Sequence, residues 1–227
     1  MVGFRLLMVS IKELYSLEHT LAASYLAQYT YPWEALKGIK DMIIELGSAL
    51  SKDEYDEVSE HVWVHKSALI YKSAYIGSPC IIGPRSEVRH GSFIRGSALI
   101  GANCVVGNST EVKNAILFDG VEVPHFNYVG DSILGYKSHM GAGSTTSNIK
   151  LDRSPIIING INTGLIKIGA MLGDYVEVGC NTVLNPGTIV GPSTSIYPLS
   201  NVRGVIPSNS VYKNDNTIVT KKWSICL

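Results

Sequence analysis

Between Glu111 and Asn148 the chain gathers Lys113, His125, Tyr128, Asp131 and His139, residue types that can hold an anion or move a proton. His125 directly follows Pro124, whose fixed φ suggests a turn with an outward-pointing imidazole. Histidine can take up a proton near neutral pH, which suits a general base. On residue type alone, a surface-turn histidine with no chemistry is the simpler reading. What raises the interest of this stretch is the regular pattern it interrupts.

From Val64 to Val112 an aliphatic residue recurs at every sixth position: Val64, Ile70, Ile76, Ile82, Val88, Ile94, Ile100, Val106 and Val112. Four residues after almost every anchor stands a small one, among them Ala68, Ala74, Cys80, Ser86, Ser92, Ala98, Cys104 and Thr110, and glycine often follows the anchor directly. Six is neither a helical nor a hairpin period. It fits short strands bent sharply at each end, three to a coil of about eighteen residues, stacked as a parallel β-helix. A β-sandwich of short strands would not hold this period over nine hexads. The anchors should fill the narrow core, each worth roughly 1.5–3 kcal/mol.

The spacing slips to five at Leu117 and again at Leu134. It then stops from Ser147 to about Lys167, and resumes at Leu172, Val178, Leu184, Val190, Ile196 and Val202. The slips should mark coils where something projects, and the irregular stretch reads as an extruded loop, with Ile156 to Ile158 as a possible short strand. Long loops in compact repeats are usually functional. Some twenty hexads predict six to seven coils. The domain reading is thus a helical N-terminal cap or arm over 1–60, a β-helix over 61–206 with a loop at 147–167, and a C-terminal tail over 207–227. In the first segment Ser10 and Glu13 form a capping-box pattern before Ile11, Leu14, Leu17 and Leu21, and Tyr31-Pro32 opens a second amphipathic helix through Leu36, Ile39, Ile43 and Leu46 to Gly47. The tail, ending in Trp223, Ile225 and Leu227, is expected to cover the last coil or cross to another subunit.

Nineteen basic and nineteen acidic residues cancel, so neither nucleic acid nor an anionic membrane is an expected partner. The four cysteines form no CxxC pair, and Cys80 and Cys104 fall at small core positions, which fits a reducing cytoplasm. The opening MVGFRLLMVS is too short an apolar run for a signal or membrane segment.

The run EVKNAILFDGVEVPHFNYVGDSILGYKSHMGAGSTTSN, residues 111 to 148, resembles the acetyltransferase half of the bifunctional UDP-N-acetylglucosamine pyrophosphorylase/glucosamine-1-phosphate acetyltransferases, with their H-x-x-Y-x-G-D and G-A-G-T-x-x-x-N patterns. LGDYVEVGCNTVLNPGTIVGPSTSIYP, residues 172 to 198, is similar to that family's last coils. The resemblance implies a left-handed parallel β-helix and a homotrimer with sites between subunits. It implies His125 as the general base toward the sugar amine and Lys113 near the sugar phosphate, with Arg89 or Arg95 beside it. It further implies Tyr128, His139, Asn148 and Lys167 as sugar contacts, and Ala142, Cys180 and Pro198 along acetyl-CoA, with no metal. The implied reaction is direct acyl transfer, a backbone N–H near Ala142 meeting the oxyanion. His139 stands where that family has asparagine, Ile149 where it has an aromatic, and the 147–167 loop is longer, so the acceptor sugar is expected to differ. No glycine-rich nucleotide-binding signature precedes the repeats, and pyrophosphorylase activity is not expected.

Two other readings stay open. A non-catalytic sugar-nucleotide-binding trimer would keep the site without the chemistry. A zinc hydrolase would have to draw on His61, His65, His90, His125 and His139, which show no H-x4-H spacing in the coils.

Overall fold

The computed structural model describes residues 9–222 and shows a parallel β-helix of about eight turns with three faces. Val62 pairs with Cys80 and Cys80 with Ala98, so a full coil takes eighteen residues, as the hexads require. The first face runs through Val62–His65, Cys80–Ile82 and Ala98–Ile100. The second begins at Leu69–Ile70 and the third at Tyr75–Ile76. Anchors such as Ile82, Val88, Ile94 and Val106 are fully buried. At the small positions, buried hydroxyls bond carbonyls of the next coil: Ser86 Oγ to Gly101 O at 2.7 Å, Ser92 Oγ to Val106 O at 2.9 Å and Thr110 Oγ1 to Val123 O at 3.0 Å. A small polar residue is tolerated there because its one donor is satisfied.

The coil count exceeds the six to seven expected because the ladder reaches beyond Ile206: Ser210–Tyr212 still pairs in parallel with Ser195–Ile196. At each end of the solenoid an antiparallel strand covers one face: Tyr55–Ser59 pairs with Val62–His65 at one end, and Ile218–Thr220 with Ser210–Tyr212 at the other, which shields that face's open edge. The first strand covers only the first face, so the anchors Ile70 and Ile76 of the opening coil remain partly exposed. The tail residues Trp223, Ile225 and Leu227 and the opening residues 1–8 lie outside the described residues.

The N-terminal helical segment is an arm and not an end cap. Ile81, Leu99, Ile116, Ile133, Met171 and Ile189 point outward from the first face, yet all are fully buried, because this segment lies along that face. Its backbone is tied on by Asp174 N–H to Leu14 O at 3.0 Å and Asp119 N–H to His19 O at 3.0 Å, while Ser16 N–H donates to the Asp174 carboxylate at 2.7 Å. His19 stacks on Tyr136 at 3.6 Å. The continuous helix expected over Ile11 to Leu21 is broken into Ile11–Leu14, a 3-10 turn Leu17–His19 and Ala23–Leu26, since bonding to the coils takes precedence over helix continuation. The second helix forms as expected, a 3-10 stretch Pro32–Gly38 leading into Ile39–Ser48. There Gly47 faces the Trp63 ring, and a Cβ on it would come within 2.1 Å of the indole.

Candidate functional site

Both five-residue slips fall at the corner between the third and first faces. Losing one residue there lets Glu111–Leu117 and Tyr128–Leu134 run as single seven-residue strands through the bend. Asn114 and Asp131 turn the corner in left-handed conformations, φ 46° and 51°, which their short polar side chains tolerate. The 147–167 loop leaves from the same corner one coil on, so everything irregular in the repeat converges there. The loop is not free: its hairpin, Ile157–Ile158 with Ile161–Asn162, folds back so that Ile156 and Ile158 are buried beside Gly187. Lys167 stands at its base, bridged to Ile149, with Ile168 N–H donating to Asn148 O at 3.0 Å.

At this corner Asp131, 5% exposed, collects three donors. Asn114 Nδ2 reaches one carboxylate oxygen at 2.8 Å, while Asn148 Nδ2 at 2.5 Å and Lys113 Nζ at 3.2 Å reach the other. Tyr128 lies across the third face with its hydroxyl over Gly130, where a Cβ would come within 2.5 Å, and accepts from Asn148 Nδ2 at 3.1 Å. Burial first, then the charges of Asp131 and Glu111, push the Tyr128 phenol above its ordinary range, so it remains a neutral hydroxyl. Arg95 stacks one coil from Lys113, its N–H donating to Val112 O at 2.8 Å, and is paired with Glu111 at 2.8 Å. Arg89 is placed elsewhere. It follows the second-face strand Glu87–Val88 and pairs with Glu87 at 2.8 Å, so of the two arginines only Arg95 adjoins Lys113.

The corner between the second and third faces carries the other set. Successive backbone bonds, Phe126 N–H to Asn108 O, Gly143 N–H to His125 O, Asn181 N–H to Ala142 O and Leu199 N–H to Cys180 O, stack His125, Ala142, Cys180 and Pro198 in one column. His125 is exposed, and among the described residues no side chain engages its imidazole. The Ala142 N–H has no acceptor among the described residues and is available to a ligand. Cys180 is exposed but sits two coils from His125, roughly 10 Å away at strand spacing, too far for a thiol–imidazole pair. Cys80 and Cys104 are buried, and burial pushes each thiol up to about 12.

Sequence reasoning missed three residues that shape this corner. Asn127, 3% exposed, receives the His125 N–H on Oδ1 at 3.1 Å and donates Nδ2 to Gly141 O at 2.9 Å, binding the histidine's coil to the Ala142 turn. Phe126 makes the turn at φ 52° with its ring exposed. At Gly107 a Cβ would come within 1.7 Å of Pro124 O, so only glycine lets the His125 turn approach. An asparagine two residues past a turn histidine was a readable signal. The clash at Gly107 was not, since it depends on coil spacing.

His139 joins neither corner. It lies on the second face, between Glu122 and Glu177 in register, with Nδ1 3.0 Å from the Glu177 carboxylate. The Glu177 hydrogen bond, helped by the charges of Glu177 and Glu122 and opposed by desolvation, raises its pKa. The pair therefore stabilises the fold fully below the ordinary histidine pKa of about 6.5, and that contribution is lost as pH rises through the raised folded value. Glu177→Gln should lower the His139 midpoint in an NMR pH titration of the ring protons; an unmoved midpoint would show that the pairing does not persist in solution.

Among the described residues no three histidine, cysteine or acidic side chains converge as a metal site would need, and no helix is long and apolar enough to cross a membrane.

Coil, corner and register together define a hexapeptide-repeat protein with the three-faced parallel β-helix expected. Residues 76–201 match the family described as the GMPPB C-terminal domain; this is more than half of the chain, which belongs to that family. It is 34% identical over 112 residues to the bifunctional protein GlmU of Methanococcus maripaludis strain C5, covering 48% of this chain and 27% of that protein. It is 33% identical over 88 residues, 37% of this chain and 22% of the relative, to a bifunctional sugar-1-phosphate nucleotidylyltransferase/acetyltransferase of Sulfurisphaera tokodaii. The chain thus spans about a quarter of the length of these curated relatives. Among solved structures it is similar to the N-acyltransferase AntD from Bacillus cereus in complex with dTDP and 3-hydroxybutyryl-CoA, at 15% identity and a TM-score of 0.36 over 68% of this chain and 80% of that one. It is also similar to the acetyltransferase domain of PglB from Neisseria gonorrhoeae in complex with acetyl coenzyme A, at 18% identity and 0.34 over 67% and 54%.

Proposed function

We propose that this protein transfers an acetyl group from acetyl-CoA to the amine of a phosphorylated or nucleotide-linked amino sugar. The observation that carries the reading is the presence of two corners on either side of the third face: a column of His125, the free Ala142 N–H, Cys180 and Pro198 on one, and the Arg95, Lys113, Asp131 and Asn148 cluster, with the Tyr128 hydroxyl bonded to it, on the other. His125 takes a proton from the amine as nitrogen attacks the thioester carbon. The Ala142 N–H faces the oxyanion that develops, and collapse breaks the C–S bond, the proton passing to the thiolate. Products are the N-acetyl sugar and CoA, with no covalent enzyme intermediate. Cys180 and Pro198 flank the pantetheine arm, while Tyr128, Asn148 and Lys167 hold the sugar. His139, on the second face, meets the acceptor only where another copy brings it alongside.

One face separates the two corners within a single chain, so the proposed assembly is a homotrimer in which the His125 corner of one copy meets the charged corner of the next. The arm covers the first face, which leaves the third face and the His125 corner for this contact; Tyr75, Phe93, Phe126 and Leu199 are exposed there. A second reading, a non-catalytic sugar-nucleotide-binding protein, is favoured by one observation: among the described residues no carboxylate orients the His125 imidazole. The assay is thiol release from acetyl-CoA over a panel of amino sugars that includes glucosamine-1-phosphate. Release with one acceptor supports transfer; binding without release with every acceptor supports the second reading.

A further inference from the structure

This inference rests on the acyl-transfer reading above and concerns how the His125 corner is held. Just before the third face a column of small residues runs up the solenoid, Ser92, Thr110, Asn127, Ser144, Thr182 and Ser200, each preceding a strand residue in parallel register with the next. All but Asn127 carry a hydroxyl, and each hydroxyl is spent inside the stack. Ser92 and Thr110 donate to carbonyls of the next coil, Thr182 to Tyr197 O at 3.2 Å, and Ser144 and Ser200 to carbonyls three residues back at 2.6 Å each. A hydroxyl therefore satisfies this position of the coil. The column departs from it in the coil that carries His125.

The Asn127 amide spans two turns. Its Oδ1 accepts the His125 N–H at 3.1 Å, while its Nδ2 donates to Gly141 O at 2.9 Å and to Ser144 O and Oγ at 3.1 Å each. Gly141 and Ser144 bound the turn that carries Ala142, closed by Ser144 N–H to Gly141 O at 3.1 Å. A hydroxyl is one atom with one donor, whereas a planar amide sets an acceptor and two donors on separate atoms, one toward each turn. We infer that Asn127 is a positioning residue for acyl transfer: it clamps the His125 turn to the Ala142 turn, so that the base and the oxyanion N–H reach one thioester at a fixed separation. The other tie between the turns, Gly143 N–H to His125 O at 3.0 Å, is a single bond about which the His125 turn can pivot. The fold itself does not need the amide. Without Nδ2, Gly141 O still accepts from the Ser144 N–H and hydroxyl, and without Oδ1 the His125 N–H lies in an exposed turn where water takes its place.

The test is Asn127→Ser, with Asn127→Thr beside it, since the column already uses both residues. Each is compared with wild type in thiol release, acetyl-CoA binding by calorimetry, thermal melting and amide hydrogen exchange by NMR. A small misplacement of reacting groups is costly, so kcat should fall about ten- to a hundredfold. Acetyl-CoA affinity should stay within about threefold, and the melting temperature within about 4 °C. The His125 backbone N–H should exchange faster in both variants, with or without substrate. A lower melting temperature with kcat unchanged would make Asn127 a structural residue and overturn the positioning role. So would unaltered exchange at His125, or the failure of both variants to fold. Wild type that releases thiol, beside variants that match its kcat, leaves acyl transfer standing and removes Asn127 from it. Wild type that releases no thiol with any acceptor overturns acyl transfer, and the positioning role with it.

Discussion

Replacing Ile94 with aspartate will deprive the protein of its cooperative thermal transition. Ile94 is fully buried on the third face, in register with Ile76 on one side and Val112 on the other, so its side chain occupies the centre of a core only one anchor wide. Losing the isoleucine costs about 2–5 kcal/mol, and an unpaired buried carboxylate adds several more. A whole domain holds only about 5–15 kcal/mol. In a solenoid each coil is stabilised by its neighbours, so the loss spreads along the stack. Phe93, one residue away, points outward and is 42% exposed in the single chain, so Phe93→Asp should keep a cooperative transition and act only on the proposed contact between copies. Circular dichroism melts of the two variants check this, and matching melts would mean that the inward and outward positions have been exchanged.

His125→Ala carries the largest expected effect on activity. Removing a general base typically costs 10²–10⁴-fold in rate, or about 3–5.5 kcal/mol of barrier. Because the side chain is exposed and bonds no neighbour among the described residues, the melting temperature should not change. The backbone of the turn is held by Asn127 and by Gly143 N–H, not by the imidazole, so Ala142 should keep its place and acetyl-CoA its affinity. Thiol-release kinetics would show kcat falling while the KM for acetyl-CoA holds. A fall in both would mean that the substitution has disturbed the corner.

The solenoid was legible because the core is one residue wide: a period of six aliphatics leaves no other way to bury every anchor. The site was legible through its irregularities. The two missing residues at Leu117 and Leu134 are what bring Asn114 and Lys113 onto Asp131 one coil away. The choice between Arg89 and Arg95 needed the register itself, which puts one on the second face and the other against Lys113. The arm was half legible. Its second helix follows from its own apolar spacing, but the first segment takes its path from Asp119 and Asp174 on the coils, which no local pattern records. The end-capping strand Tyr55–Ser59 carries four exposed residues out of five, so nothing in its composition marks it as a strand against the first coil.

The measurement that bears most directly on the account is thiol release from acetyl-CoA across the amino-sugar panel, with wild type and His125→Ala side by side. Wild type should release thiol with a phosphorylated or nucleotide-linked amino sugar, and the variant should lose at least about a hundredfold of that rate. Equal release from both proteins would remove His125 from the chemistry. No release by wild type with any acceptor, while a sugar nucleotide still binds, would contradict acyl transfer itself.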